Sequence, residues 1–413
     1  MNTDSSVVTG RSLGRLLIIV LTAFLAVGAV GCGPSDGSDE SNGNSNGDSN
    51  SNSNGDSNSN SNGDSNGDGD SVGTDASEDP ELTEPEAFDD VWLHEGLSAA
   101  SILATDEGTL LVGANQAEED SDQDKGVWRS TDEGATFDTM GLEEYAVTRL
   151  VSATIDGEEH IYAFGVSQDD MGAVDRFNLA LSTDDGRSWE TVTDEPFTES
   201  FDSFNVTLTN EGEFYSERHY SHDGGETWEE TDALLDAFED NDQDTLSAEV
   251  KAGPDGTLYA RSTAEVPDEE STAIVFVSRD DAQSWEAHEL DQGEAVNTIA
   301  VSSGGEVIAG GHLGNIWRST DKGENWERVR EGEGESFVGS EDLVKDLMPG
   351  RDDELFAGHS KGILNSSDAG QSWSVEPAAD VSSAQEATAD RSGNVYFAKR
   401  YSTRTYLFHR SFD

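Results

Sequence analysis

The sequence predicts an all-β fold, a seven-bladed β-propeller of four-stranded blades closed by pairing of its N-terminal and C-terminal strands. Three observations predict it: a Ser-x-Asp-x-Gly-x-x-Trp box recurs, short β-type runs precede every copy, and the two chain ends each hold part of one further repeat. Spacings near 40–50 residues between copies are those of propeller blades, each a single sheet.

The boxes begin at Ser130, Ser182, Ser221, Ser278, Ser319 and Ser366, at intervals of 52, 39, 57, 41 and 47 residues. They supply Asp132, Gly134 and Phe137; Asp184, Gly186 and Trp189; Asp223, Gly225 and Trp228; Asp280, Ala282 and Trp285; Asp321, Gly323 and Trp326; and Asp368, Gly370 and Trp373. In a tight turn between third and fourth strands the Asp carboxylate accepts hydrogen bonds from turn N–H groups. The glycine supplies a positive φ, and the aromatic ring packs between neighbouring sheets. A group occupied alike in six blades is a structural joint rather than six active sites. Ala282 takes the glycine position in the fourth box, which predicts a strained or relaxed turn there.

Each box follows a short strand ("GVWRS", "NLALS", "RHYS", "IVFVS", "NIWRS", "GILNS"), and each of those follows another introduced by a tight turn, such as "DEGTLLVGA" or "PDGTLYAR". After the sixth box, "SAQEATADRSGNVYFAKRYSTRTYLFHRSFD" supplies three strands of a seventh repeat and ends at Ser411 to Asp413, a box cut short. Val91 to Leu97, "VWLHEGL", looks like the strand that follows a box, so it completes the seventh blade and leaves no open edge.

Three segments are expected: residues 1–32 as a lipoprotein signal peptide, 33–87 as a tether and 88–413 as the propeller. Arg11 and Arg15 precede the apolar run "LLIIVLTAFLAVGAV", which suits a signal h-region better than a membrane span. The run ends in "AVGC", and Cys32 is the only cysteine, so it forms no intramolecular disulfide and is the expected lipidation site. That ending resembles the lipobox of bacterial lipoproteins, with Ala29 where Leu is more usual. The Ser/Asn/Gly/Asp tract beyond it has almost nothing apolar to bury and is expected to be a flexible tether reaching roughly 40 Å. Asp64, Asn66, Asp68, Gly69, Asp70 and Asp75 fit most of an EF-hand spacing. Position twelve is Asp rather than Glu, however, and no flanking helices are visible. No cofactor is expected, and calcium is the one ion left open.

The formal charge of −64, from 87 acidic and 23 basic residues, excludes nucleic acid as an electrostatically favoured partner. Only six residues are Lys, a balance that suits concentrated salt and equally an acid-biased proteome.

The boxes carry a family resemblance. Residues from about 90 to 413 resemble the BNR or Asp-box propellers, which include sialidases, sortilin-type receptors, xyloglucan-degrading endoglucanases and photosystem II assembly factors. The stretch "AGG…GNIWRSTDKGENW" is nearest in pattern to the seven-bladed assembly factors and endoglucanases. The resemblance is specific for fold and leaves function open. For a sialidase it implies three substrate-binding arginines and a Tyr–Glu pair, but no Arg-Ile-Pro-like stretch opens the propeller. Arg129 and Arg318 share one blade position just before the box Ser, which favours a structural or surface role. For the endoglucanases it implies two carboxylates across a cleft between two propellers, where this chain has one. The histidines show no metal-ligand spacing, and His312 and His359 lie at matching strand ends. Three acidic loops, 115–126, 167–177 and 234–246, are expected on the face opposite the boxes, either as solvated surface or as a cation-rich partner site. The expected function is an exported, lipid-anchored, monomeric binding or assembly scaffold at the cell envelope, with no catalytic residues, acting on an unidentified protein or glycan. The alternative is a carbohydrate-active enzyme, sialidase-like or glycoside hydrolase-like.

Overall fold

The computed structural model describes residues 90–413 except 96, 116–124, 169–173, 197–204, 242, 244–246, 264–272, 291–294, 334–342, 360, 378–383, 385, 402–403 and 412–413. The expectations for the signal peptide, Cys32, the tether and the EF-hand-like tract lie outside the described residues, as do parts of the three acidic loops.

Seven antiparallel sheets of four strands follow one another along the chain. Blades 1 to 6 occupy residues 99–139, 146–196, 207–230, 247–289, 296–330 and 344–377. Blade 7 takes three strands from residues 386–411 and its fourth from Asp90–Glu95. That N-terminal strand pairs with Arg404–Ser411 in unbroken register from Asp90 opposite His409 to Glu95 opposite Arg404, the closure the sequence predicts. The first strands of successive blades touch in a closed circle and line a central channel.

The core consists of seven clusters, each joining two consecutive blades. Across the closing seam, Leu110 and Val112 of blade 1 pack against Tyr396 and Leu407 of blade 7, with Trp92 and Phe137 at the edge. The box aromatics sit in these seams as expected: Trp189 joins the blade 1–2 cluster, Trp228 the next, and Trp326 and Trp373 later ones.

In every box the Ser hydroxyl donates to the Asp carboxylate while accepting the N–H of the glycine position, as at Ser319, with bonds of 2.9 Å to both Asp321 and Gly323. The Asp in turn accepts the backbone N–H and the side chain of the residue just before the aromatic. That residue is Thr136, Ser188, Thr227, Ser284, Asn325 or Ser372. The motif is therefore a five-point one with a required side-chain donor at its seventh position. In Asp132, Asp184, Asp223 and Asp321 this side-chain bond is the largest influence and holds the carboxyl below the usual aspartate range. In Asp280 and Asp368 burial acts first, in the opposite sense, and the hydrogen bonds outweigh it.

Ala282 does not relax its turn. It adopts φ 62° like the box glycines, and its N–H still reaches Ser278 Oγ at 3.1 Å. A non-glycine residue pays about 1–2 kcal/mol for this conformation. The buried methyl meets Tyr215 and Trp285 in the blade 3–4 cluster, which offsets part of that cost.

Two expectations are corrected. Within loop 234–246, Ala233–Asp240 is an α-helix whose Leu234 and Phe238 are buried in the blade 3–4 seam, with Phe238 edge-on to Phe276 at 4.7 Å. Burial of these two side chains supplies what an acidic loop could not. At the C-terminus, the bond from Asp390 N–H to Asn394 O closes the turn as Thr105 N–H to Thr109 O does in blade 1. Val395 is then the counterpart of Leu110, and the residue opposite it is Arg410. Ser411 therefore lies one position beyond the box register.

Candidate binding site in the channel

The turn after each first strand fixes one level of the channel. Its closing bond starts from the N–H of Thr105, Thr209, Gly253, Ser302, Gly350 or Asp390. Four residues earlier stand Ser101, Asn205, Glu249, Thr298, Asp346 and Glu386. Blade 2 turns differently, but its Leu150 N–H donates to Ser101 Oγ just as Leu347 N–H donates to Thr298 Oγ1, both at 3.1 Å. Leu150 and Leu347 are thus equivalent, and Arg149 completes the ring. Ser101 and Thr298 are buried and serve the seams. The charged members come from blades 2, 4, 6 and 7.

Arg149 Nη1 lies 3.8 Å from Glu386 Oε2, a pair that spans blade 1. Glu249 is held by Lys251, two residues along the same strand, at 3.0 Å and by Arg261, directly opposite on the second strand, at 2.8 Å. Burial works to raise the Glu249 pKa, but the charges of Lys251 and Arg261 outweigh it and bring it to about 2. Asp346 has the opposite setting. Burial first, and then the Glu249 charge, push it up to about 6 against the pull of Lys345, Lys251 and Arg261. Both residues are half-buried in the channel wall.

Asp346 is also conformationally distinct. The first strands of blades 1, 2, 5 and 6 all carry an irregularity in pairing just above this level. Only in blade 6 does the ring residue take a left-handed conformation, with φ 48°. Such strain persists where surrounding structure enforces it, and it gathers at binding sites.

The raised pKa gives a signed prediction. Because native Asp346 holds its proton to higher pH than the unfolded chain does, its contribution to stability is present at low pH and lost as pH rises through about 6. Asp346→Asn mimics the protonated acid and tolerates the positive φ. Its advantage over the wild type should be small near pH 4.5 and larger near pH 7.5, by on the order of 1 kcal/mol after a discount for channel water. Urea melts of both proteins at the two pH values check this, and an equal difference at both would refute it. The box aspartates act in the opposite direction, since their stabilisation is lost only as pH falls below the ordinary aspartate value.

The two arginines singled out by the sequence fall on the box face. Arg129 donates from Nε to Asp185 O at 2.8 Å and Arg318 from Nε to Ala369 O at 2.7 Å. Each acceptor is the left-handed residue between Asp and Gly in the next blade's box. Arg279 makes the same link to Lys322 O at 2.9 Å. These arginines staple consecutive blades. His359 is buried at the end of its strand, and its Nδ1 accepts the Lys361 N–H at 3.1 Å. No cluster of three or more His, Cys, Asp or Glu residues with metal-binding geometry occurs among the described residues, and none of their helices is long and apolar enough to cross a membrane.

Comparison with known proteins agrees with this architecture. The BNR/Asp-box repeat model matches residues 219–230, the blade 3 box. No curated protein matches the sequence. Among solved structures, the chain is similar to YCF48 bound to D1 peptide, at 16% identity and TM-score 0.50, over 79% of this chain and 99% of that one. It is also similar to the extracellular domain of BT4673 from B. thetaiotaomicron, at 13% identity and TM-score 0.50, over 78% of this chain and 40% of that one. The WD40 repeats of RRP9 align over 79% of this chain and all of theirs, at 10% identity and TM-score 0.50. At these identities the likeness is one of fold. Residues 90–413 form a seven-bladed β-propeller, and its blade 3 box matches the BNR/Asp-box repeat model.

Proposed function

We propose that this protein is an exported, monomeric, non-catalytic binding scaffold, anchored at the cell envelope through a lipid on Cys32, which recognises a polypeptide at the channel. The observation that carries this reading is the contrast between two sets of equivalent positions. The box residues are alike from blade to blade and saturate one another with hydrogen bonds. The channel ring instead sets Arg149, Asn205 and the carboxylates of Glu249, Asp346 and Glu386 at one level, with Ser101 and Thr298 bonded into the seams between them. Uniform positions serve the fold, while a ring of unlike groups presents a specific pattern of donors, acceptors and charge to one ligand. The D1 peptide bound to YCF48, a protein of the same fold, supports a polypeptide as the ligand class. The extracellular placement of the BT4673 domain supports export.

Selection of a displayed peptide library on the purified full chain in high salt, beside incubation with polysaccharides and sialosides, tests the reading. Enrichment of related peptides whose affinity falls at least fivefold in Asp346→Asn is the expected result. Release of reducing ends or sialic acid from any glycan would overturn it. Labelling with radioactive palmitate, lost in Cys32→Ser, tests the anchor.

A further inference from the structure

Blade 3 has the shortest strands of the ring, two or three residues each, and its outer part carries a cluster of three rings. Buried Tyr215 stacks with half-buried Tyr220, centroids 6.4 Å apart at 21°, and His222 lies 5.1 Å from Tyr220 and edge-on to Tyr215 at 6.0 Å. Beside the cluster opens a cavity of about 240 Å³, lined by Tyr220, Ser221, His222, Asp223, Thr227 and Glu229. Of its two carboxylates, Glu229 is positioned by a ring, its Oε2 accepting the Tyr220 hydroxyl at 2.8 Å, and Asp223 is held by Ser221 and Thr227 of the blade 3 box. Glu213, outside the lining, steadies the other two rings by accepting the Tyr215 hydroxyl at 3.0 Å and meeting His222 Nδ1 at 2.9 Å. No Lys or Arg lines the cavity.

This combination selects a charge sign. The face of an aromatic ring carries negative electrostatic potential, and two carboxylates, Asp223 and Glu229, add to it from the cavity wall. An anion is repelled, and a neutral group gains nothing from the carboxylates that water does not already supply. A cation gains both ring and charge contacts.

We propose that this cavity accepts the cationic side chain of a partner polypeptide, a guanidinium or an ammonium. The proposal rests on the polypeptide-binding reading above and adds a second contact at the outer rim of the ring. The general attraction of an acidic chain for any cation must be separated from this local contact, and 1 M salt does so by cutting the screening length to about 3 Å.

The test uses acetyl-Gly-Gly-Arg-Gly-Gly-amide, its lysine analogue and its neutral citrulline analogue, titrated against the full chain in 1 M salt with saturation-transfer NMR of the peptide. Binding of the arginine or lysine peptide and not of the citrulline peptide is expected. Tyr220→Leu and Glu229→Gln should each weaken it about fivefold, while Tyr220→Phe retains the ring and Glu289→Gln on blade 4 changes nothing. Melting curves confirm that each variant folds. Equal binding of citrulline and arginine peptides, undiminished binding by Tyr220→Leu, or no binding at all would overturn the proposal. If library peptides still bind through Asp346 in that case, the channel reading stands and the rim contact alone falls.

Discussion

Gly134→Ala is expected to lower stability by about 3 kcal/mol, from two costs that add. Gly134 has φ 92°, which an alanine adopts only under strain. A Cβ there would also lie 2.1 Å from Leu407 Cδ2 and 3.4 Å from Leu110 Cδ2, on the seam where blade 1 meets blade 7. Leu407 is buried in that seam's core and has little room to withdraw. The same contact recurs around the ring, with Gly225 facing Leu179 and Gly370 facing Ile308. The box glycine is therefore demanded by the neighbouring blade as well as by its own turn. Gly256→Ala supplies the comparison, because Gly256 has φ 81° and open space around it, and so carries the conformational cost of about 1–2 kcal/mol alone. Chemical denaturation of both variants checks this. Equal losses would mean that the close approach of the blades is not what selects glycine.

Deleting residues 1–96 should have a larger effect still, on the order of 4 kcal/mol or more, since it removes a whole strand and the Trp92 packing. Blade 7 would keep three strands, and Arg404–Ser411 would become an exposed edge. His94 would also be lost. It ties the strand to the box of blade 1 through its Nε2 contact with Gly134 O at 2.8 Å and an edge-on contact with Phe137 at 4.9 Å. The expected outcome is a protein that associates through this edge and exchanges rapidly those alternate amides of 404–411 that face the missing strand. A synthetic peptide of residues 88–97 should restore protection. A truncated protein as stable as the full chain would show that the seam between blades 1 and 7 closes without the strand.

The fold was readable because its joints are written in residue types. Serine, aspartate, glycine and tryptophan recur at fixed offsets, and both halves of blade 7 are visible at the chain ends. The seventh box position carries a weaker signal, since Thr136, Ser188 and Asn325 share only a small side-chain donor and differ in type. The helix at 233–240 was hidden by composition, its Leu234 and Phe238 set among Asp and Glu. The channel ring could not be read from residue types, because its members have none in common. What makes Glu249, Asp346 and Glu386 equivalent is their distance from a turn-closing hydrogen bond, and Arg149 joins them through the bond from Leu150 N–H to Ser101; both appear only in three dimensions.

The central claim is that boxes build the ring while the channel level binds. It is tested most directly by comparing Asp321→Ala and Asp346→Asn for both stability and affinity toward one peptide recovered from the displayed library. Loss of the Asp321 hydrogen bonds to Ser319 and Asn325 should lower stability by about 1–2 kcal/mol and leave affinity unchanged. Asp346→Asn should weaken binding at least fivefold without lowering stability. The reverse pattern, with affinity lost at the box and kept in the channel, would contradict the account.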